Sequence, residues 1–408
     1  MEADCQHPAV WMRGDGTTSA APSAELPASS KAPARFAFVD GLRGLAALSI
    51  VVFHIWWYEP DPYPALEQAH WLFDVAFLGL RGGVQVLLVI SGFVIAYTLR
   101  RVWFTPGEVW SFIGRRLVRL VPAYWVALGF VMLVEAACLG LWDLPSPNDG
   151  QLSILRTATH LAFLQDIFDQ DALGAGMWTL CIEMQFYFTA ILGWGLAQRL
   201  FPRPVAGEPR PVDWGLMALF SPLAITSLFH WRALESTDPW VTHYLWMFFL
   251  GMATWWTLDQ TLPLAAFIVV VSIGGVDLVL NAEWRFWNAV ALMTALAIFT
   301  AGHRGKLHVW LDWWPLQYLG RISYSLYLIH YPICHVILSA GWKWCGNPPT
   351  SLQASVILLS AIPASLLAGH MLHRFVEAPS AQWAARMKRV GHFPPTAPES
   401  GNPRRAQL

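Results

Sequence analysis

Apolar residues in this chain are gathered into long runs separated by polar connections. Runs of roughly 20 residues lie near 40–58, 80–99, 117–140, 177–198, 213–231, 240–257, 262–280, 286–301, 315–340 and 352–375. A hydrocarbon core about 30 Å thick takes roughly 20 helical residues at 1.5 Å each. Each run therefore has the length of one crossing. The expected fold is all-α, a polytopic membrane helix bundle of about ten transmembrane helices. The stretch 153–168 is apolar in part but short, and it carries Arg156, His160 and Asp166. It is expected to form a re-entrant or interfacial helix. No internal repeat is present, so an inverted-repeat transporter finds no support.

The connections alternate in charge. The first, YEPDPYPALEQAHWLFD, holds four acidic residues and neither Lys nor Arg. The second supplies Arg100, Arg101, Arg115, Arg116 and Arg119, the third Asp143, Asp149, Asp166, Asp169 and Asp171, and the fourth Arg199, Arg203 and Arg210. Ten crossings put both termini on one side. With cytoplasmic termini, only Arg81, Arg156, Arg232, Arg285 and Lys343 of the 26 basic residues fall outside. Lys and Arg accumulate on the cytoplasmic face. Both termini are expected in the cytoplasm, and the protein in the cell's inner membrane.

Composition agrees. Hydrophobic residues make up 55% of the 408, and charged residues 13%; mean hydropathy is +0.42. A soluble domain carries about 25% charged residues because its surface faces water. The lipid bilayer is the partner that takes the place of water here. Abundant Trp and Phe suit membrane interfaces. A net charge of -1 argues against nucleic acid, which calls for a basic surface. The five cysteines are scattered without metal-ligand spacing, so neither a metal site nor a disulfide framework is expected. Residues 1–35 read as a disordered segment, 36–379 as the membrane domain and 380–408 as a basic flexible tail. With no soluble catalytic domain expected, any chemistry must be built from helices and loops.

Ionisable groups inside apolar runs are costly and mark function by default. Arg43 and His54 lie in the first run. Eleven residues at 100° each return to within about 20°, so they share a face, roughly 16 Å apart along the axis. Ala46, Ala47 and Ile50 lie between them, and the alanines leave room for a slender ligand. The competing reading has Arg43 snorkelling to headgroups and His54 bonded to a carbonyl. In FIGRRLVRLVP, Arg115, Arg116 and Arg119 fall three and four apart, which gathers three guanidiniums into one patch. Arginine's planar fork suits phosphate oxygens, although a positive-inside anchor would use the same residues. Glu183 in MWTLCIEMQFYF has Thr179 and Tyr187 one turn away on either side; it is either a functional carboxylate or an interfacial one. LGRISYSLYLIHYPI adds Arg321, Ser323, Tyr324, Tyr327 and His330, dense enough for a wet cavity or for interhelical hydrogen bonds. His373 and Glu377 in HMLHRFVEAP resemble a local ion pair without a catalytic role.

These segments together resemble the acyltransferase-3 family of bacterial membrane acyltransferases. The resemblance runs from about 36 to 379, through DGLRGLAALSIVVFH, GGVQVLLVISGFVIAY, FIGRRLVRLVPAYW, MWTLCIEMQFY, LGRISYSLYLIHYP and RFVEAP. It implies transfer of an acyl group, usually acetyl, from acyl-coenzyme A to a hydroxyl. The implied acceptor is a carbohydrate, a glycolipid or a hydroxylated small molecule. No permanently bound cofactor is implied, since acyl-CoA is the donor substrate. The family's Arg and His correspond to Arg43 and His54, with ten residues between them, and its arginine pair to Arg116 and Arg119. Its second-run motif more often has an acidic residue where Gln85 stands.

On this resemblance Arg115, Arg116 and Arg119 would meet the phosphates of coenzyme A. His54 would be the general base, since a neutral imidazole accepts a hydroxyl proton near neutrality. Arg43 would hold the donor or stabilise charge on the thioester oxygen. Glu183 would orient His54 or bind the acceptor. An acyl-histidine intermediate is an alternative to direct transfer. Two opposing readings are a transporter with an intramembrane His/Arg/Glu proton relay, and a translocator passing acyl groups to a separate transferase.

Overall fold

The computed structural model describes residues 35–57, 79–100, 105–147, 152–201, 211–231, 234, 238–346 and 349–387. The N-terminal segment up to residue 34, the connection around Asp61 and the tail after 387 lie outside the described residues. From Phe36 onward the described helices belong to one unit. In chain order they are α1 (Ala37–Trp57), α2 (Gly83–Leu99), α3 (Pro106–Ala137), α4 (Ile154–Leu161), α5 (Met177–Leu200) and α6 (Pro211–Phe229). There follow α7 (Val241–Leu258), α8 (Leu264–Leu280), α9 (Arg285–His303), α10 (Trp314–Cys345), α11 (Ser351–Leu372) and α12 (Ala378–Arg386). No strand occurs among the described residues.

Each of the ten apolar runs is helical over most of its described residues. Among the described residues, six segments are long and apolar enough to cross a membrane: Ala37–Ile55, Pro106–Trp142, Met177–Leu200, Arg285–His303, Trp314–Cys345 and Ser351–Arg386. Three more, Gly83–Leu99, Trp214–Phe229 and Leu264–Leu280, are apolar and shorter. Helix α7 has the length but carries Thr242, His243, Tyr244 and three tryptophans, and nearly every side chain on it is buried. A helix covered on all sides has protein as its solvent, so its sequence need not match lipid. The chain is thus a polytopic, multi-pass membrane helix bundle.

Two boundaries differ from the sequence expectation, and a third segment is a short helix as read. Helix α3 begins at Pro106, well before the apolar run at 117, because Thr105 caps it through the Glu108 N–H at 3.3 Å and proline occupies the first turn. The run starts late only because arginines interrupt its hydropathy. At the other end, a π-helical turn (His373–Glu377) joins α11 to α12, so residues 380–386 are helical rather than part of a loose tail. Ser380 and Ala384 are buried there, and Ser380 Oγ donates to the Arg119 carbonyl at 3.2 Å. The His373–Glu377 pair forms as read, at 3.0 Å, and Glu377 also accepts from Ser325 Oγ at 2.6 Å. Third, 153–168 contains the eight-residue α4, too short to cross. Its polar side chains fasten the segment that follows: Arg156 Nε donates to the Asp171 carbonyl (2.8 Å), and His160 Nε2 accepts the Leu173 N–H (2.9 Å).

Two close helix crossings organise the bundle. A Cβ on Gly92 of α2 would lie 1.9 Å from the Phe248 carbonyl oxygen of α7, and one on Gly251 2.0 Å from the Val89 oxygen. In α1 and α10, a Cβ on Gly320 would lie 2.2 Å from the Asp40 oxygen, and one on Gly44 2.5 Å from the Gly320 nitrogen. Only glycine permits such approaches, the usual device where lipid supplies no hydrophobic drive between helices. The contacts also give directions. Gly44 meets Gly320 and His54 meets His330, the same offset of 276 residues, so α1 and α10 run parallel. Tyr97 packs on Trp255 and Arg100 lies 4.0 Å from Asp259, which makes α2 and α7 parallel too. Helices α10 and α11 are antiparallel, with Cys334 opposite Ser365 and Tyr318 opposite His370.

Candidate active site

Arg43 sits on the second turn of α1, beside the glycine crossing. Because Gly44 and Gly320 bring the two backbones together, its guanidinium reaches α10 directly. Nε donates to Ser323 Oγ and Nη2 to the Gly320 carbonyl, both at 2.9 Å. Ser323 in turn donates to that same carbonyl at 2.9 Å. Arg43 is therefore held by α10 from within the bundle, which a side chain reaching for headgroups would not be.

The arginine borders a cavity of about 140 Å³ walled by α1, α2, α3, α5 and α10. Water fills about 30 Å³ per molecule, so the space suits a few waters or the slender end of a ligand. Its charged lining is Arg43, Arg116, Arg119 and Glu183; its hydroxyls are Ser91, Thr179, Tyr187, Ser323, Tyr324 and Tyr327. Elsewhere the wall is aliphatic, largely from α2. Glu183 accepts hydrogen bonds from Ser91 Oγ at 3.0 Å and from Tyr187 OH. The Tyr187 ring carries the Arg116 guanidinium 5.1 Å from its centroid, and Phe112 lies on the same cation at 5.8 Å. A carboxylate, a phenol and an arginine are thus linked in series, Glu183 to the Tyr187 hydroxyl and the Tyr187 ring face to the Arg116 cation.

Arg116 and Arg119, three apart on α3, both face the cavity. Arg115 does not line it; its guanidinium donates to Ser111 on its own helix. The helical turn separates it by about 100° from Arg116, so the expected patch of three divides into two lining residues and one outside. Gln85 is buried without lining the cavity, and its Oε1 has no hydrogen-bond partner among the described residues. Ser91 was not singled out in the sequence, since a lone serine before glycine in an apolar run gives no signal until α5 lies opposite it.

His54 is elsewhere. The face between Arg43 and His54, expected to hold a ligand, is packed: the Ala46 carbonyl abuts Gly83 of α2, while Ala47 and Val51 join Leu326 and Cys334 of α10. His54 does not line the cavity. Its Nδ1 is 2.8 Å from the Ile50 carbonyl oxygen and 3.2 Å from Nε2 of His330, with ring centroids 5.0 Å apart. Glu183 keeps to the cavity with Ser91 and Tyr187.

Between the cavity and the histidine pair stands Tyr327. It lines the cavity, and its ring centroid is 6.1 Å from that of His330, one turn along α10. Thr179 Oγ1 donates to the Gly176 carbonyl at 3.0 Å, so the 2.7 Å contact with Tyr327 uses the tyrosine proton. Gly176 packs against that ring, where a Cβ would come within 2.6 Å. The arrangement is an arginine-rich cavity joined through a buried tyrosine to a histidine dyad.

A profile described as an acyltransferase domain, acyltransferase-3, matches residues 36–370. A protein named as the membrane-bound transacylase BcsY, of Komagataeibacter xylinus, is 30% identical over 313 residues, 72% of each chain. The O-acetyltransferase OatA of Staphylococcus aureus is 25% identical over 372 residues, 84% of this chain. The chain spans only 56% of that relative's length. No solved structure matches. The matched region takes in α1 through most of α11 and every residue of the cavity and the dyad, and the chain belongs to the acyltransferase-3 family of membrane acyltransferases.

Proposed function

We propose that this acyltransferase takes an acyl group, acetyl foremost, from cytoplasmic acyl-coenzyme A and transfers it to a hydroxyl of a sugar, glycolipid or related small molecule. The observation that carries the reading is the cavity, which brings Arg116 and Arg119 to Arg43 and has on its wall Tyr327, whose ring neighbours the His330 that meets His54. Two arginines on adjacent turns suit the phosphates of the donor. Arg43, roughly 16 Å along the axis from His54, belongs with the donor rather than with the carbonyl on which His54 acts. Glu183 holds Tyr187, and the Tyr187 ring in turn carries Arg116. His54 takes the hydroxyl proton as the oxygen attacks the thioester carbonyl; the carbon–sulfur bond breaks and the thiolate leaves with a proton returned by the imidazolium. The name of the staphylococcal relative, an O-acetyltransferase, supports acetyl as the group and oxygen as the acceptor atom.

The reading needs the donor side of the cavity to face the cytoplasm. Ten crossings with both termini inside, in the cell's inner membrane, provide this. The loop charges support that topology, as do the parallel pairs α1/α10 and α2/α7, which alternation requires of the first and ninth runs and the second and sixth. A reporter fused after Leu408 should be active only in the cytoplasm, and one placed near Asp61 only outside. Both active on one side would remove the ten-crossing topology.

The chemistry is tested with purified protein in bilayer discs, supplied with acetyl-coenzyme A and a panel of sugars and glycolipids. Acceptor-dependent release of free coenzyme A thiol, with acetyl recovered as an ester, is expected. Acetyl movement across vesicles without ester formation would favour a translocator instead.

A further inference from the structure

We infer that His330 is the positioning residue for His54, accepting its Nδ1 proton and so holding the imidazole in the tautomer whose Nε2 is the base. The inference deepens the proposed function and rests on His54 being that base. It follows from counting protons. Backbone carbonyls only accept hydrogen bonds. His330 Nδ1 lies 2.8 Å from the Tyr327 carbonyl oxygen and 3.2 Å from that of Leu326, so it carries the proton of the neutral ring. Its Nε2 is then a lone pair. That lone pair lies 3.2 Å from His54 Nδ1, which also lies 2.8 Å from the Ile50 carbonyl oxygen, so two acceptors share one proton there and each contributes to keeping it on Nδ1. Each ring thus has a fixed donor, and the remaining lone pair of His54 is at Nε2.

The same contact serves the protonated state. When Nε2 of His54 takes the hydroxyl proton, the charge spreads to Nδ1–H, which keeps His330 Nε2 as its acceptor. In soluble hydrolases a carboxylate holds this position. Inside a bilayer an additional buried anion is costly, and a neutral imidazole supplies the acceptor without it. His330 is fully buried, and the two rings meet at the helix offset set by the Gly44–Gly320 crossing.

The test uses full-length protein in bilayer discs with ¹⁵N-histidine, the His54 signals assigned by their loss in His54→Gln. Wild type should show His54 protonated at Nδ1 and bare at Nε2; His330→Ala and His330→Phe should shift it toward the opposite tautomer. In turnover, both variants should lose roughly 10- to 100-fold in kcat, by analogy with the partners that orient metal-ligating histidines, with KM for acetyl-coenzyme A unchanged. His330→Gln places an amide oxygen near the lost lone pair and should restore most of both readouts. The Phe variant fills the volume without an acceptor, so it separates orientation from packing. Wild-type kcat in His330→Phe, or an unchanged His54 tautomer in His330→Ala, would overturn the inference. An active His54→Gln enzyme would instead remove the base assignment, and the tautomer measurement would still stand by itself.

Discussion

His54→Gln should lose acyl transfer almost completely while binding acyl-coenzyme A as the wild type does. Glutamine keeps much of the size of the ring and can donate to the Ile50 carbonyl, but it cannot take a proton. General-base catalysis is worth roughly 10²- to 10⁴-fold, and the loss should fall in that range for both His54→Gln and His54→Ala. Donor binding should survive because His54 lies outside the arginine cavity and meets His330 instead. Thioester turnover and acyl-coenzyme A affinity, both normalised to correctly inserted protein, separate the two effects. A structural histidine would give another pattern, with Gln recovering what Ala loses. Near-normal turnover by the Gln variant would take His54 out of the reaction.

The second large effect is expected for Arg116→Ala with Arg119→Ala. Each loses a charge-assisted contact worth about 1.5–3 kcal/mol, which is roughly 10- to 150-fold in donor affinity per arginine. The double variant should still fold, since Arg119 contributes its backbone carbonyl rather than its side chain to Ser380. Arg116→Lys should fall well short of wild type, because an ammonium lacks the flat face that lies on Tyr187 and Phe112. Arg115→Ala is the internal control. Its side chain is outside the cavity, bonded to Ser111, so donor affinity should change little. Titration of acyl-coenzyme A by calorimetry reads all three variants. Equal, small losses across the three arginines would mean that they anchor topology and do not hold phosphate.

What the sequence determined by itself was the solvent of each segment. Ten apolar runs, loop charges that alternate, and Arg43 and His54 on one helix face are local or periodic properties, because hydropathy and the 100° helical turn act within a single segment. The division of the α3 arginines was decided by tertiary structure: spacing places Arg115, Arg116 and Arg119 on adjacent turns, but only the position of α5 makes two of them cavity walls. Helix ends also escaped hydropathy at α3 and α12, where capping by Thr105 and the burial of Ser380 outweighed polar composition. The largest difference concerns the face between Arg43 and His54. Its small residues read as room for a ligand, yet in the bundle they are where α2 and α10 pack, and the open space lies beside α1 against α3 and α5. A small side chain means close approach, and whether a ligand or another helix approaches is settled by other helices, α2 nearby in the chain and α10 hundreds of residues away. The same holds for the dyad: His54 and His330 are 276 residues apart, and no local pattern joins them. The Gly44–Gly320 crossing does, by bringing α1 and α10 together in parallel and carrying that register ten residues further to the two imidazoles.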